Sequence, residues 1–216
     1  NVSITDDDFV IPDILISELA DPNDNYNGRY VELYNSTDSD VDLAAGNWNL
    51  VVYFNANTSG SNKALTGTIP AGGTYVIPYR SSEQFSTIYG VSPDQGSSNA
   101  GTNGDDNFEL RYGGDASTGT LVDVYGSPGT DGTGTASEYE DGRAVRNADI
   151  TSGNTTFTPS EWTIYSDDSG NPNGIANVAD MTPGVHPDPT PSGLALTFAL
   201  NSDNTEYSVS DCLRTA

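Results

Sequence analysis

The sequence predicts an all-β protein, an antiparallel β-sandwich with one short helix. Only 34% of the 216 residues are hydrophobic, and they come in short bursts separated by Gly, Pro, Asn, Asp and Ser. Turn residues at such short intervals are typical of many short strands. Alternation within the bursts supports strands as well, because side chains of a strand point to opposite faces in turn. In "YVELY" this alternation separates two sets of side chains: Val31 and Leu33 from Tyr30, Glu32 and Tyr34.

The predicted strands share an apolar burst with turn residues on both sides. They are, in chain order, residues 13–19, 29–34, 47–54, 63–69, 75–77, 107–112, 120–126, 143–147 and 161–165. We expect residues 47–54 to pair with 63–69. We also expect residues 107–112 and 120–126 to form a hairpin, because Gly113 and the residue after it provide a flexible turn.

The segment "SSEQFSTIYG" predicts the one helix. Ser81 or Ser82 can cap its start, Glu83 lies in the first turn, and Gly90 can end it. Its apolar residues recur at helical spacing: Phe85, Ile88 and Tyr89. We expect this short helix to cover one end of the sandwich.

The predicted domain organisation has four parts. Residues 1–12 are an acidic lead-in, and 13–182 are the sandwich. A Pro-rich linker follows at 183–192. Residues 193–216 alternate apolar and polar side chains around a polar turn, which predicts a β-hairpin. Because a lone hairpin is marginally stable in water, we expect it to open a second domain that continues beyond Ala216.

The charge of the chain limits its partners. Only 7 Lys and Arg oppose 31 Asp and Glu, so the formal net charge is -24. Such a surface should be repelled by nucleic acid and by anionic membranes. No apolar run is long enough to span a bilayer. The charge fits either solubility in a salty medium, where self-repulsion is screened, or the binding of divalent cations by carboxylates.

The residues needed for common catalytic mechanisms are sparse. His186 is the only histidine and lies between prolines, and Cys212 is the only cysteine. A nucleophile with a histidine base would therefore require the linker to fold back over a pocket. Acidic residues are so abundant that no single pair indicates hydrolysis. We therefore predict that the chain is not an enzyme.

One stretch, "DPNDNYNGRYVE", has the alternating oxygen ligands of a calcium loop. With its first residue counted as one, Glu32 is the twelfth, which is the position of the bidentate ligand. Tyr26 stands where such a loop needs glycine. The same residues also suit an ordinary polar turn. The candidate Ca²⁺ ligands are Asp21, Asn23, Asn25 and Asn27.

Two further stretches offer carboxylates beside turns. "NGDDNFE" supplies Asp105 and Asp106 as candidate Ca²⁺ ligands, although turn chemistry before a strand explains them equally well. "DDSGNPNG" could ligate through Asp167, Ser169 and Asn171, but its sixth residue is proline where a calcium loop turns on glycine.

Tyrosines near predicted strand ends offer a different kind of site. Exposed rings on a rigid sheet can stack on sugars, whereas tyrosines also pack across strands with the hydroxyl in water. The candidates for a sugar platform are Tyr26, Tyr30, Tyr34, Tyr53 and Tyr79.

Eight motifs occur in this order along the chain: "ILISEL", "YVELYNSTDSDVDLAAGNWNL", "LTGTIPAGGTYVI", "NGDDNFELR", "LVDVYGSPG", "DGRAVRN", "FTPSEWTI" and "TPGVH". Together they resemble the lamin tail domain, an immunoglobulin-like β-sandwich. The resemblance covers about residues 13–186 and is similar to the form in secreted and surface proteins of bacteria, including the non-catalytic leading domain of some extracellular nucleases. The tail, about residues 194–213, resembles the opening hairpin of bacterial surface leucine-rich repeat proteins.

This resemblance implies structural roles for the most regular residues. Glu18 and Glu32 would be strand residues near the end of the sandwich, and Asn35 would turn the chain. Core packing would fall to Val41, Leu43 and Trp48.

The resemblance also implies a function. It predicts a non-catalytic adhesion or interaction module of a secreted or cell-surface multidomain protein, with a protein or glycan ligand. The spacing of oxygen ligands in the loops, and not the resemblance, adds the prediction that Ca²⁺ stabilises this module. The alternatives are an accessory domain of an extracellular nuclease or phosphatase, and a carbohydrate-binding module.

Overall fold

The computed structural model describes residues 10–186, which contain eleven strands and one α-helix. The strands are β1 (Ile14–Ala20), β2 (Tyr30–Asn35), β3 (Val41–Asp42), β4 (Asn49–Tyr53), β5 (Ser61–Ala64), β6 (Thr68–Ile69), β7 (Thr74–Pro78), β8 (Asn107–Tyr112), β9 (Thr120–Tyr125), β10 (Arg143–Arg146) and β11 (Trp162–Tyr165). The helix α1 is Ser82–Tyr89, and short 3₁₀ turns lie at Tyr26–Gly28, Ser98–Ala100, Pro159–Glu161 and Val178–Asp180.

The strands form an antiparallel sandwich, which confirms the predicted fold class. One sheet has the order β11-β10-β1-β2-β7, and the other has the order β5-β4-β8-β9. The short strands β3 and β6 pair with each other. The predicted hairpin is confirmed as β8 and β9, in which Tyr112 pairs with Thr120. No helix in the described part of the chain is long and apolar enough to cross a membrane.

The main core lies between the two large sheets. It consists of aliphatic side chains from both sheets together with large aromatic rings. Trp48, Val41 and Leu43 belong to it, as the family resemblance implied, and Trp48 is fully buried. Burying side chains of this size supplies roughly 1.5 to 3 kcal/mol each before the entropy cost is counted. Burial in this core therefore explains why apolar and polar residues alternate along the strand sequences.

The strands β1 and β2 are buried on both faces. Val31 and Leu33 lie on one face of β2, as predicted, and that face belongs to the main core, whereas Tyr30 belongs to a second cluster on the opposite side of the sheet. That outer face is covered by α1 and by the chain around Ala176 and Met181. Polar residues of β1 and β2 on this face are therefore shielded from water.

The helix begins and ends where the sequence predicts. The Ser81 side chain accepts a hydrogen bond from the Gln84 N–H, and Gly90 ends the helix with a φ of 69°. Phe85 is fully buried and packs edge-on against Tyr30, with 5.6 Å between ring centroids. The helix thus packs on the outer face of the five-stranded sheet, rather than only covering one end of the sandwich.

The strand expected at residues 63–69 is instead two strands in different sheets. β5 pairs with β4, whereas β6 pairs with β3. Gly67 breaks the run with a φ of 86°, which side chains rarely adopt. The Leu65 N–H donates a hydrogen bond to the Trp48 carbonyl at 2.9 Å. This bond holds the chain between β5 and β6 against the residue that precedes β4.

Some predictions lie outside the described residues. These are the acidic lead-in up to residue 9, the linker from residue 187 onward, and the hairpin at 193–216 with its leucine-rich repeat resemblance. The described end of the predicted linker, at Gly184 and His186, contacts the sandwich.

Candidate functional site

The first residue of the predicted calcium loop is used in a buried ion pair. The Asp21 carboxylate lies 2.5 Å from Arg29 Nε, and its other oxygen accepts a hydrogen bond from the Asp141 N–H. Burial raises the pKa of Asp21, and the charge of Arg29 opposes that rise. Both oxygens therefore already have donors within the protein.

The other residues of this loop also have local bonds. Asn25 Oδ1 accepts from the Asn27 N–H at 3.1 Å and caps the 3₁₀ turn, while Asn23 Nδ2 donates to Asn177 at 3.4 Å. The twelfth position, Glu32, is on β2, where its carboxylate is buried. These bonds fit the polar-turn interpretation of the loop, and calcium binding by it stays a prediction.

The neighbours Asp105 and Asp106 have different surroundings. Asp106 Oδ1 accepts a hydrogen bond from the Asn55 N–H at 2.7 Å, and burial raises its pKa to about 6. Asp105 is also buried, and its Oδ2 has only a long contact of 3.5 Å with the Thr133 hydroxyl. Its Oδ1 is buried without a hydrogen-bond partner. Such an atom normally costs stability, so it calls for an explanation.

Three carboxylates meet close to Asp105, and we call them the acid cluster: Glu138, Glu140 and Asp167. One oxygen from each lies within 4.8 Å of the others. Glu138 is buried, Glu140 is half-buried and Asp167 is exposed, so the cluster leads from the interior to the surface.

The backbone sets the geometry of the acid cluster. The Tyr139 N–H bonds to the Gly104 carbonyl at 2.8 Å, and the Asp167 N–H bonds to the Glu140 carbonyl at 3.0 Å. Tyr139 is fully buried in the main core. Where the backbone is extended, the residues before and after Tyr139, which are Glu138 and Glu140, point to the same side of the chain, opposite Tyr139. The sequence pattern indicates Asp167 but not the two glutamates, although acidic residues on either side of a tyrosine were a usable signal.

Burial is the largest cause of a raised pKa at Glu140. The negative charges of Asp167 and Asp105 raise it further, in that order. These effects show that Asp105 and the acid cluster share one electrostatic environment. A cation in that environment would be stabilised by all of these groups.

The backbone of Gly104 lies directly against that of Glu140, which gives a testable prediction. It has a φ of 94°, and a Cβ there would lie 2.1 Å from the Glu140 N atom. We expect Gly104→Ala to lower the free energy of unfolding by at least about 2 kcal/mol, through backbone strain and the clash. Urea denaturation followed by tryptophan fluorescence would measure it.

Gly134 provides the matched control for this substitution. Its φ is 69°, yet no atom lies within 4 Å of where a Cβ would be. Gly134→Ala should therefore cost about 1 kcal/mol, from backbone conformation alone. Equal losses in the two variants would show that the contact with Glu140 contributes nothing.

Two buried glutamates bind the last described segment of the chain, and we call them the carboxylate clasp: Glu18 and Glu32. Thr182 Oγ1 donates to Glu18 at 2.9 Å, and the Gly184 N–H donates to Glu32 at 2.6 Å. Arg143 pairs with Glu18 at 3.2 Å. Burial, followed by the charge of Glu18, raises the pKa of Glu32 to about 8.

Most of the candidate sugar-platform tyrosines are not exposed. Tyr30, Tyr34 and Tyr53 are only 1%, 7% and 6% exposed, so their rings cannot stack on a sugar from solvent. The alternation was right, but both faces of β2 are covered. Tyr26 is 53% exposed, and the guanidinium of Arg80 lies 5.5 Å from its ring centroid.

The remaining tyrosine and the histidine also have ring contacts. Arg80 lies closer to Tyr79, at 4.4 Å from that ring centroid. His186 stacks on Tyr34, with 4.4 Å between ring centroids. The only histidine of the chain therefore packs against β2.

Comparison with known proteins gives one family. The family model described as Lamin Tail Domain matches residues 10–131. No curated protein matches the chain. The match covers strands β1 to β9, and the structure adds β10 and β11 to the same sheet as β1. More than half of the chain matches, the sandwich fits an immunoglobulin-like fold, and the chain therefore belongs to the lamin tail domain family.

Proposed function

We propose that this chain is a non-catalytic interaction module of a secreted or cell-surface protein, and that it acts in adhesion. Membership of the lamin tail domain family is the observation that carries the proposal, because such immunoglobulin-like domains are typically non-catalytic. The buried acids support it as well. Asp21, Asp123 and Glu18 each pair with an arginine, so these carboxylates serve the fold.

The exposed ring of Tyr26 marks the surface that we assign to ligand binding. It belongs to the same turn as Asn25 and Asn27, which line a hollow of about 310 Å³ together with α1. Arg80 holds the ring from one side. Exposed tyrosines are enriched in interfaces, because one ring supplies apolar area and a hydroxyl at little entropic cost.

The charge of the chain suggests a class of partner. A formal net charge of -24 attracts basic surfaces and repels nucleic acid. We therefore propose a protein ligand with a basic patch, bound faster at low salt than at high salt. A bacterial source and a following leucine-rich repeat domain belong to the same proposal, and they rest on the sequence resemblance alone.

Binding by the purified chain would test this function. We expect it to bind to immobilised extracellular matrix proteins, with affinity that falls at least about tenfold in Tyr26→Ala. Surface plasmon resonance at two salt concentrations would measure both effects. The comparison variant is Tyr112→Ala, which removes a half-buried tyrosine that packs edge-on against Trp48.

Two results would contradict the proposal. One is hydrolysis of phosphodiester, phosphomonoester or glycosidic substrates by the purified chain. The other is selective binding on a glycan array that Tyr26→Ala abolishes, because it would assign the surface to a carbohydrate-binding module.

A further inference from the structure

We propose that the acid cluster binds a single Ca²⁺ ion, with Glu138, Glu140 and Asp167 as ligands and Asp105 as the acceptor for an ion-bound water. This site differs from the loop at residues 21–27, where the sequence alone predicts calcium. It contains carboxylates from separate parts of the chain, which only the fold brings together.

The distances between the three carboxylates suit one ion. Ca²⁺ binds oxygen at about 2.3 to 2.6 Å, so two ligands of one ion lie at most about 5 Å apart. The ligand atoms of the acid cluster all lie within 4.8 Å of one another. The backbone bonds of Tyr139 and of Asp167 hold the ligands in place, so little reordering is needed.

The buried Oδ1 atom of Asp105 is an independent sign of a ligand. The residue is 8% exposed, and this oxygen has no hydrogen-bond partner. Asp105 directly follows Gly104, whose backbone presses against that of Glu140. Ca²⁺ usually keeps some water in its shell. A water on an ion in the acid cluster would donate to this oxygen and remove the cost of leaving it unsatisfied.

No positive side chain neutralises the acid cluster among residues 10–186. The ion pairs there use Asp21, Glu109, Glu18, Asp123 and Glu161. Three carboxylates within 4.8 Å repel one another strongly when all are ionised. A divalent cation would reverse that repulsion, because it is the largest local charge in such a site.

The mixture of burial and exposure favours Ca²⁺ over Mg²⁺. Mg²⁺ demands near-ideal octahedral geometry and dehydrates reluctantly, whereas Ca²⁺ accepts irregular sets of oxygen ligands. Glu138 is buried and Asp167 is exposed, so the site reaches the surface, where water can complete the shell. We expect a Kd of about 0.1 to 1 mM, as in extracellular modules.

Thermal unfolding in EDTA and in CaCl2 tests this site. We expect about 10 mM CaCl2 to raise the Tm by about 5 to 10 °C relative to NaCl of equal ionic strength. Matching the ionic strength is necessary, because any salt screens a net charge of -24. Isothermal titration calorimetry should give a stoichiometry of one.

Two ligand variants separate binding from folding. Glu140→Gln and Asp167→Asn should each remove most of the Ca²⁺-induced rise. In EDTA both should melt at or above the wild-type temperature, since each relieves repulsion. Asp149→Asn is the charge-matched control, because Asp149 is exposed and lies outside the acid cluster. It should keep the full rise.

Three outcomes would overturn the proposal. The first is a Tm in CaCl2 equal to that in NaCl of equal ionic strength. The second is an undiminished rise in both ligand variants. The third is loss of the rise in Asn25→Ala but not in Glu140→Gln, which would place the ion in the loop at residues 21–27.

Discussion

Replacing Asp123 by alanine is expected to lower the free energy of unfolding by about 3 to 5 kcal/mol, among the largest effects of any single substitution in this fold. The Asp123 carboxylate on β9 accepts hydrogen bonds from the Ile16 and Asn154 N–H groups, both at 2.8 Å. It also pairs with Arg146 at 3.0 Å, and both side chains are almost fully buried. One side chain therefore ties the two sheets together.

The cost arises from what the substitution leaves behind. Arg146 would keep Glu161, at 3.2 Å, and its contact with the Trp162 ring, but two backbone N–H groups would lose their acceptor. Asp149→Ala, at an exposed position, is the control and should change the stability by less than about 0.5 kcal/mol. Urea denaturation would measure both. A loss below about 1 kcal/mol for Asp123→Ala would show that the tie between the sheets is dispensable.

The second large effect is a dependence of stability on pH that is opposite to ordinary acid denaturation. The pKa of Glu32 rises from 4.5 to about 8 in the folded protein. The folded state therefore holds a proton that the unfolded state releases between these values. The resulting stabilisation is complete below about pH 4.5 and is lost as the pH rises to about 8.

Other carboxyl groups shift in the same direction. Burial raises the pKa of several of them, including Glu18, Asp94 and Asp123, so each also favours the folded state at lower pH. We expect the Tm in EDTA to be about 5 to 10 °C higher at pH 5.5 than at pH 8.5. Scanning calorimetry across this range would measure it.

Glu32→Gln identifies the main source of this dependence. Glutamine resembles the protonated acid: its oxygen can accept from the Gly184 N–H, and its amide can donate to the Ser17 hydroxyl. The variant should therefore melt about 5 °C above wild type at pH 8.5 and depend less on pH.

The control for this variant is Glu83→Gln at an exposed position on α1, which should keep the wild-type dependence on pH. If Glu32→Gln melts below wild type at pH 8.5, the ionised carboxylate stabilises the fold and the assignment is wrong.

The sequence predicts most of the strands because their pattern is local. β8 and β9 match the expected bounds closely, and the capping residues place α1. The run at 63–69 fails because its alternation continues through Gly67, whereas the backbone conformation of that glycine sends β5 and β6 to different sheets. Strand propensities along the chain do not reveal that β5 and β6 pair with different strands.

The candidate sites depend on contacts between distant residues, and the sequence predicts them less well. Spacing alone suggested that Glu32 could complete a calcium loop, yet the fold turns it toward Ser17 and Gly184. The acid cluster combines residues 138–140 with Asp167, which lie far apart in the chain. Their proximity follows from backbone bonds that have no local signature in the sequence.

The carboxylate clasp has a mechanical consequence. Tension on the chain beyond residue 186 enters the sandwich through the segment from Thr182 to His186. The His186 ring stacks on Tyr34, and the bonds of Thr182 and Gly184 lead to the middle of β1 and β2 rather than to an edge strand. These contacts should therefore rupture before any sheet is sheared. Since one of them ends on a group that titrates near pH 8, the force needed for that first step should vary with the acidity of the surroundings.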